Sequence, residues 1–115
     1  MLRIVAKSKL HGLHITGADL NYGGSLTLDA GLMQAADLVP GERVQIVNLN
    51  NGSRIETYLI QGAEGCGECI LNGPAARCGA VGDVVHVISY ALLAVDEDTQ
   101  GLPRTVTVDS SNRPL

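Results

Sequence analysis

Tyr22-Gly23-Gly24-Ser25-Leu26-Thr27-Leu28-Asp29 is the stretch from which the rest of this chain is read. Two glycines run into a serine, and directly after it apolar and polar residues alternate. Alternation with a period of two marks a strand, and the glycine pair marks the turn that introduces it. Asp29 then reads as an N-cap. Leu32, Met33, Ala35 and Ala36 follow at helical spacing, so one short helix is expected over residues 30–38. Val39-Pro40-Gly41-Glu42 closes it with a strong turn.

The same pattern extends in both directions. Leu2, Ile4 and Ala6 share one face of a strand over residues 2–9, and Leu13 and Ile15 continue it beyond His11-Gly12. Val44, Ile46 and Leu49 form the strand after the helix. Asn51-Gly52 is the best hairpin signal, because both residues tolerate positive φ, and the return strand covers residues 54–60. Residues 62–68 are a Gly-rich loop, residues 70–71 are extended, Asn72-Gly73-Pro74 turns the chain, and residues 75–80 fit one helical turn. The apolar run 83–95 reads as a strand buried on both faces. Asp96-Glu97-Asp98 is a solvated turn, Thr105 to Val108 a last strand, and residues 110–115 a frayed tail. Asp19 and Asp83 read as turn or capping residues. This is a mainly β chain of roughly six to eight short strands with one or two short helices, and a closed β-barrel removes the edges that so many strands expose.

Composition agrees. The chain has 115 residues, enough for one domain spanning 1–115 with a real core. It has no Phe and no Trp, so Val, Ile, Leu and Ala must fill that core. The net charge of −4 comes without a run of Lys or Arg, which argues against a nucleic-acid partner. No apolar stretch reaches membrane-spanning length and no signal peptide is evident, so no membrane partner and a cytoplasmic location are expected. Cys66, Cys69 and Cys78 are an odd number, which argues against a disulfide framework. With His11, His14 and His86 they make no four-ligand metal spacing, so no metal is expected. No strand-to-helix phosphate loop suited to pyridoxal phosphate is evident either.

Four motifs, in this order, resemble the pyruvoyl-dependent L-aspartate α-decarboxylase family: Lys9-Leu10-His11; Ala18-Asp19-Leu20-Asn21-Tyr22 leading into Gly24-Ser25; Asn51-Gly52-Ser53-Arg54 with Thr57-Tyr58; and Asn72-Gly73-Pro74-Ala75-Ala76-Arg77 followed by Gly82-Asp83. The resemblance spans roughly residues 1–95. It implies a double-psi β-barrel, a homotetramer, and self-cleavage between Gly24 and Ser25 into a β chain of residues 1–24 and an α chain of residues 25–115. It also implies conversion of L-aspartate to β-alanine for pantothenate biosynthesis, with a maturation factor as a further possible partner. Three positions depart from the family's pattern: Gly23 stands where an acidic residue is usual, Val47 where an aromatic is common, and Cys66 and Cys69 lie in a loop usually built of Gly and Ser.

The chemistry the resemblance implies makes definite demands. Decarboxylating an α-amino acid leaves electrons on Cα, so an electron sink is needed. A pyruvoyl group formed from Ser25 supplies a ketone that condenses with the substrate amine. Ser25 Oγ would attack the Gly24 carbonyl, which glycine leaves approachable. Thr57 would polarise that carbonyl or hold its oxyanion, with Asn72 as second choice. Arg54 would hold a substrate carboxylate in bidentate fashion, and Lys9 would be the second cation. Tyr58 would return a proton to Cα. Gly73, Pro74 and Ala75 would line the substrate pocket with backbone groups, Pro74 offering no N–H. Thr57 and Tyr58 are adjacent, so on a regular strand they point to opposite faces. A non-catalytic binding barrel that stays uncut is the alternative, with Gly23 in its favour. A different small acidic amino acid as substrate is a third, motivated by Val47.

Overall fold

The structure is a computed structural model describing all of residues 1–115. Its strands are β1 (Leu2–His14), β2 (Gly17–Asp19), β3 (Ser25–Asp29), β4 (Arg43–Asn48), β5 (Arg54–Gly62), β6 (Cys69–Asn72), β7 (Val84–Ala94) and β8 (Arg104–Thr107). Helix α1 (Ala30–Ala35) and a 3-10 turn (Gly73–Arg77) complete it. The mainly β expectation is met, and no helix is long and apolar enough to cross a membrane.

The strands run in the order β2-β6-β3-β5-β4-β7-β1-β8. β2 continues β1 after only Ile15 and Thr16, so the first strand of this order and the last but one are one run of chain. Thr16 joins them: its N–H and Oγ donate to Cys69 O (2.9 and 3.3 Å), and its Oγ accepts from Cys69 N (2.9 Å). The sheet therefore closes into a barrel, with β8 added outside on β1 in parallel register. Pairing is mixed: β3–β5 and β2–β6 are parallel, while β1–β7, β4–β7, β4–β5 and β3–β6 are antiparallel. Leu10, Leu13, Leu26, Leu28, Leu59, Val85 and Val87 fill the interior without an aromatic among them.

Several expectations need correction. α1 ends at Ala35 rather than near residue 38. Asp37 takes φ +56, and Leu38 N–H reaches back to Met33 O at 2.8 Å, which stops the helix. The β4–β5 hairpin exists, but only Gly52 takes positive φ, and Leu49 is exposed beyond the strand. The buried Asn48 side chain shapes that loop instead, accepting from the N–H groups of Asn50 and Asn51. The turn after Asn72 begins at Gly73, earlier than the expected helical turn. β7 buries only one face, through Val85, Val87 and Ser89, while Tyr90 and Leu92 on the other are exposed. A barrel wall has one inside, so the opposite parity meets solvent or another chain.

The frayed tail is also wrong. Asn112 is 2% exposed and adopts φ +60. Its Oδ1 accepts from His14 N, and its Nδ2 donates to His14 O and Gly67 O, each at 2.8 Å. One amide thereby ties the end of the chain to β1 and to the Gly-rich loop. Asp29 holds that loop from the other side. It caps α1 through Gly31 N at 2.7 Å and accepts from Gly65 N and Gly67 N.

Candidate active site

β3 alternates as its sequence reads. Leu26 and Leu28 point into the core, so Ser25 and Thr27 lie on the opposite face. Ser25 is nevertheless completely buried, because the segment before it and the 3-10 turn cover it. Directly across the β3–β6 ladder stands Asn72, itself 3% exposed. Its Nδ2 donates to Ser25 Oγ at 3.0 Å and to Thr27 Oγ1 at 2.8 Å. Ser25 Oγ donates in turn to Gly23 O over a long 3.4 Å. No carboxylate or imidazole bonds this hydroxyl.

Gly73 packs this corner shut. A Cβ there would lie 2.6 Å from Tyr22 O, 2.9 Å from Gly24 N and 3.1 Å from Gly23 C, and its φ is +61. Only glycine lets the turn press so closely on the Tyr22–Gly24 backbone. Gly24 is roomier, with Pro74 Cδ at 3.5 Å from a Cβ placed on it, and position 23 is open.

β5 changes partners beside this corner. Residues 54–58 pair with β4, whereas residues 59–62 pair with β3. On the β3 side, the chain from Ile55 to Tyr58 therefore has no strand neighbour, and a cleft of about 430 Å³ fills the gap. Gly24, Thr57, Tyr58, Pro74, Ala75 and Cys78 line it together with Ile55 and Glu56. The splay lets Thr57 and Tyr58 reach one cleft although they are adjacent on a strand.

Of the residues singled out from sequence, Gly24, Ser25, Thr57, Tyr58, Asn72, Gly73, Pro74 and Ala75 are thus brought together. Lys9 and Arg54 are not. Lys9 pairs with Ile88 and Thr105 on β1, and Arg54 is exposed at the start of β5, opposite Val47. β7 and β4 stand between them, so three strand spacings, about 14 Å, separate their strands. Val47 lies between Arg54 and His86 in register. His86 stacks on His11 with ring centroids 4.0 Å apart, and its Nδ1 accepts from Gly12 N at 3.0 Å.

Thr27 escaped the sequence reading, although its parity with Ser25 was the available signal. The thiols divide: Cys66 is exposed, Cys78 is partly exposed, and Cys69 points into the core, where burial pushes its pKa up to about 12. All three are free, as their odd number suggests.

Fold and cluster together define a class: small closed β-barrels holding a buried, amide-bonded serine directly after a glycine that opens on a cleft. The sequence model described as Aspartate decarboxylase matches residues 1–115. The chain is 45% identical over 115 residues to an "Aspartate 1-decarboxylase" of Thermoanaerobacter pseudethanolicus, covering 100% of this chain and 98% of that one. It is 50% identical over 112 residues to that of Persephonella marina, covering 97% and 80%. To that of a Sulfurihydrogenibium species it is 55% identical over 97 residues, covering 84% and 71%. This chain belongs to the aspartate decarboxylase family. Among solved structures, the computationally designed msDPBB_sym2 protein superposes with a TM-score of 0.47 at 16% identity, over 77% of this chain and 99% of that one.

Proposed function

We propose that this chain decarboxylates L-aspartate to β-alanine and CO2 at a pyruvoyl group made from its own Ser25, after cutting itself between residues 24 and 25. Ser25 carries the reading. It is wholly buried, its Oγ is fixed by Asn72, and the preceding glycine faces the cleft. Family membership supplies the substrate. When present, the pyruvoyl ketone takes up the substrate amine and accepts the electrons released as CO2 departs.

The residues fit the making of that group. Ser25 Oγ attacks the Gly24 carbonyl carbon, and the C–N bond between residues 24 and 25 breaks, leaving an ester and a free amine on residue 25. Loss of the residue-25 Cα proton expels the Gly24 carboxylate. Water then displaces the residue-25 nitrogen as ammonia and leaves the ketone. Asn72 orients the Ser25 hydroxyl. Thr57, beside Gly24 in the cleft, serves the developing oxyanion. The hydroxyl's only acceptor is a backbone carbonyl, which is no base at neutral pH. Unaided cleavage is therefore slow, and a maturation partner has a clear task.

In the cut enzyme, Tyr58 at the cleft returns the proton to Cα, and backbone groups of Gly73 and Ala75 border the substrate. Lys9 and Arg54 lie outside the cleft on their own chain and reach a substrate there when a second copy brings its outer face to it. Exposed Leu2, Ile4 and Leu92 offer an apolar surface for such association, in keeping with a homotetramer. A cytoplasmic enzyme supplying β-alanine for pantothenate is the matching role.

Ser25→Ala tests the reading. It yields one uncut chain that releases no β-alanine. Release of β-alanine by that variant overturns the proposal.

A further inference from the structure

We infer that Gln45 is the positioning residue that keeps Arg54 oriented, unpaired and free for a substrate carboxylate. The inference rests on the reading of Arg54 given above and adds how that arginine is kept available.

β4 lies between β5 and β7, and Gln45 stands at its centre, opposite Glu56 on one side and Ile88 on the other. Arg54 and Tyr90 are then its diagonal neighbours across the two ladders, within reach of long side chains. The hydrogen bonds follow this layout. Gln45 Oε1 accepts from Arg54 Nη1 and from Tyr90 Oη, both at 2.8 Å. Two donors on one oxygen fix which way the amide faces. Its Nε2 is thereby turned to Glu56 Oε1, at 3.3 Å.

Glu56 is the acid that matters. It sits two residues from Arg54 on the same face of β5, where it could neutralise the guanidinium. It does not. Arg43 binds Glu56 Oε2 through Nε at 2.9 Å and through Nη2, and Gln45 occupies Oε1. Arg54 makes no salt bridge, its one side-chain partner being the neutral Gln45 amide. The network sorts the charges: Arg43 takes the internal carboxylate, and Arg54 is held by a group that orients it without cancelling its charge. Its remaining N–H groups stay free for a bidentate contact. Without Gln45, Arg54 has a vacant position and Glu56 a vacant oxygen, so the two pair and substrate must compete with Glu56.

The test uses the mature, self-cleaved enzyme and four variants: Gln45→Leu, Gln45→Leu with Glu56→Gln, Tyr90→Phe and Arg54→Ala. Steady-state kinetics with L-aspartate are read beside titration of succinate, a dicarboxylate without an amine. Gln45→Leu should raise KM and the succinate Kd about fivefold, the scale of one ordinary net hydrogen bond. kcat, the extent of self-cleavage and the melting temperature should stay as in the parent. Adding Glu56→Gln should bring KM back to within about twofold, because the competitor is then neutral. Tyr90→Phe should show a smaller rise of the same kind. A purely structural role would not give rescue by a second loss of hydrogen bonding.

An unmoved KM in Gln45→Leu, with Arg54→Ala still raising it, overturns this inference and leaves the function standing. Unmoved KM in both overturns the assignment of Arg54 and this inference with it. Failure of Glu56→Gln to rescue, or a fall in kcat, cleavage and melting temperature together at constant KM, overturns the positioning role.

Discussion

Gly73→Ala is the substitution for which the structure makes the sharpest forecast. Two costs add. The backbone is left-handed at φ +61, which charges a residue with a Cβ about 1–2 kcal/mol. The new methyl also falls 2.6 Å from Tyr22 O and 2.9 Å from Gly24 N. Both are backbone atoms that cannot swing aside, so about 1–3 kcal/mol of overpacking follows. Gly52→Ala isolates the first cost, since φ there is +76 and nothing lies within 4 Å. Urea unfolding of both variants, each in a Ser25→Ala background that keeps the chain whole, should show Gly73→Ala less stable than Gly52→Ala by about 1–3 kcal/mol. The same methyl displaces the Tyr22–Gly24 backbone, and with it the carbonyl that Ser25 Oγ attacks. With Ser25 present, cleavage should slow about ten- to a hundredfold, as sub-ångström misplacement of reacting atoms does. Equal destabilisation by the two variants, with unchanged cleavage, would refute the claim that the close approach of Gly73 sets the Tyr22–Gly24 backbone.

Three further outcomes follow from the same geometry. Asn112→Ala leaves His14 N, His14 O and Gly67 O without their partner, and should cost about 2–4 kcal/mol in a denaturant melt, with the tail newly open to carboxypeptidase. Burial pushes the Asp29 carboxyl up, but N–H groups of Gly67, Gly65, Gly31 and Leu32 outweigh it and leave the pKa below its ordinary 3.8. Its contribution is complete above that value and lost as pH falls through the folded pKa, so Asp29→Asn should flatten the acid limb of stability below pH 3.8 while lowering stability at pH 7. Burial first, then the charges of His11 and Lys9, push the His86 pKa below 6.5. The neutral form is the one the fold prefers, so stability falls as pH drops below 6.5, and His86→Phe, which keeps a ring against His11, should lessen that fall in pH-dependent melts.

How much of this could be read in the residues differs from place to place. β3 was legible because Ser25 to Asp29 alternate without interruption, and Asp29 was legible as a cap because a carboxylate before a helix has a local partner. The corner around Ser25 was recognisable only through motifs far apart in sequence. Asn72 and Gly73 stand 47 and 48 positions beyond residue 25 and arrive there by strand pairing, which no local pattern encodes. Barrel closure hangs on Thr16 and Cys69, a pair whose residue types announce nothing. The tail misled because residues 109–114 are mostly polar, and a polar segment reads as solvated unless one amide happens to find three buried backbone partners. β7 was the less legible strand because apolar residues on both parities suggest two buried faces, whereas its outer face ends in exposed Tyr90 and Leu92. Lys9 and Arg54 were legible as the two cations a dicarboxylate needs, but that three strand spacings keep their strands apart on a single chain is set by strand order, which no local pattern encodes.

The measurement that bears most directly on the account is the intact mass of active protein under denaturing conditions. Two species are expected, residues 1–24 ending in a free carboxylate and residues 25–115 lighter by one ammonia than the same chain begun with serine. Warming should convert any remaining uncut chain into that pair. A preparation that releases β-alanine from aspartate while every chain weighs as the uncut 115 residues would contradict it.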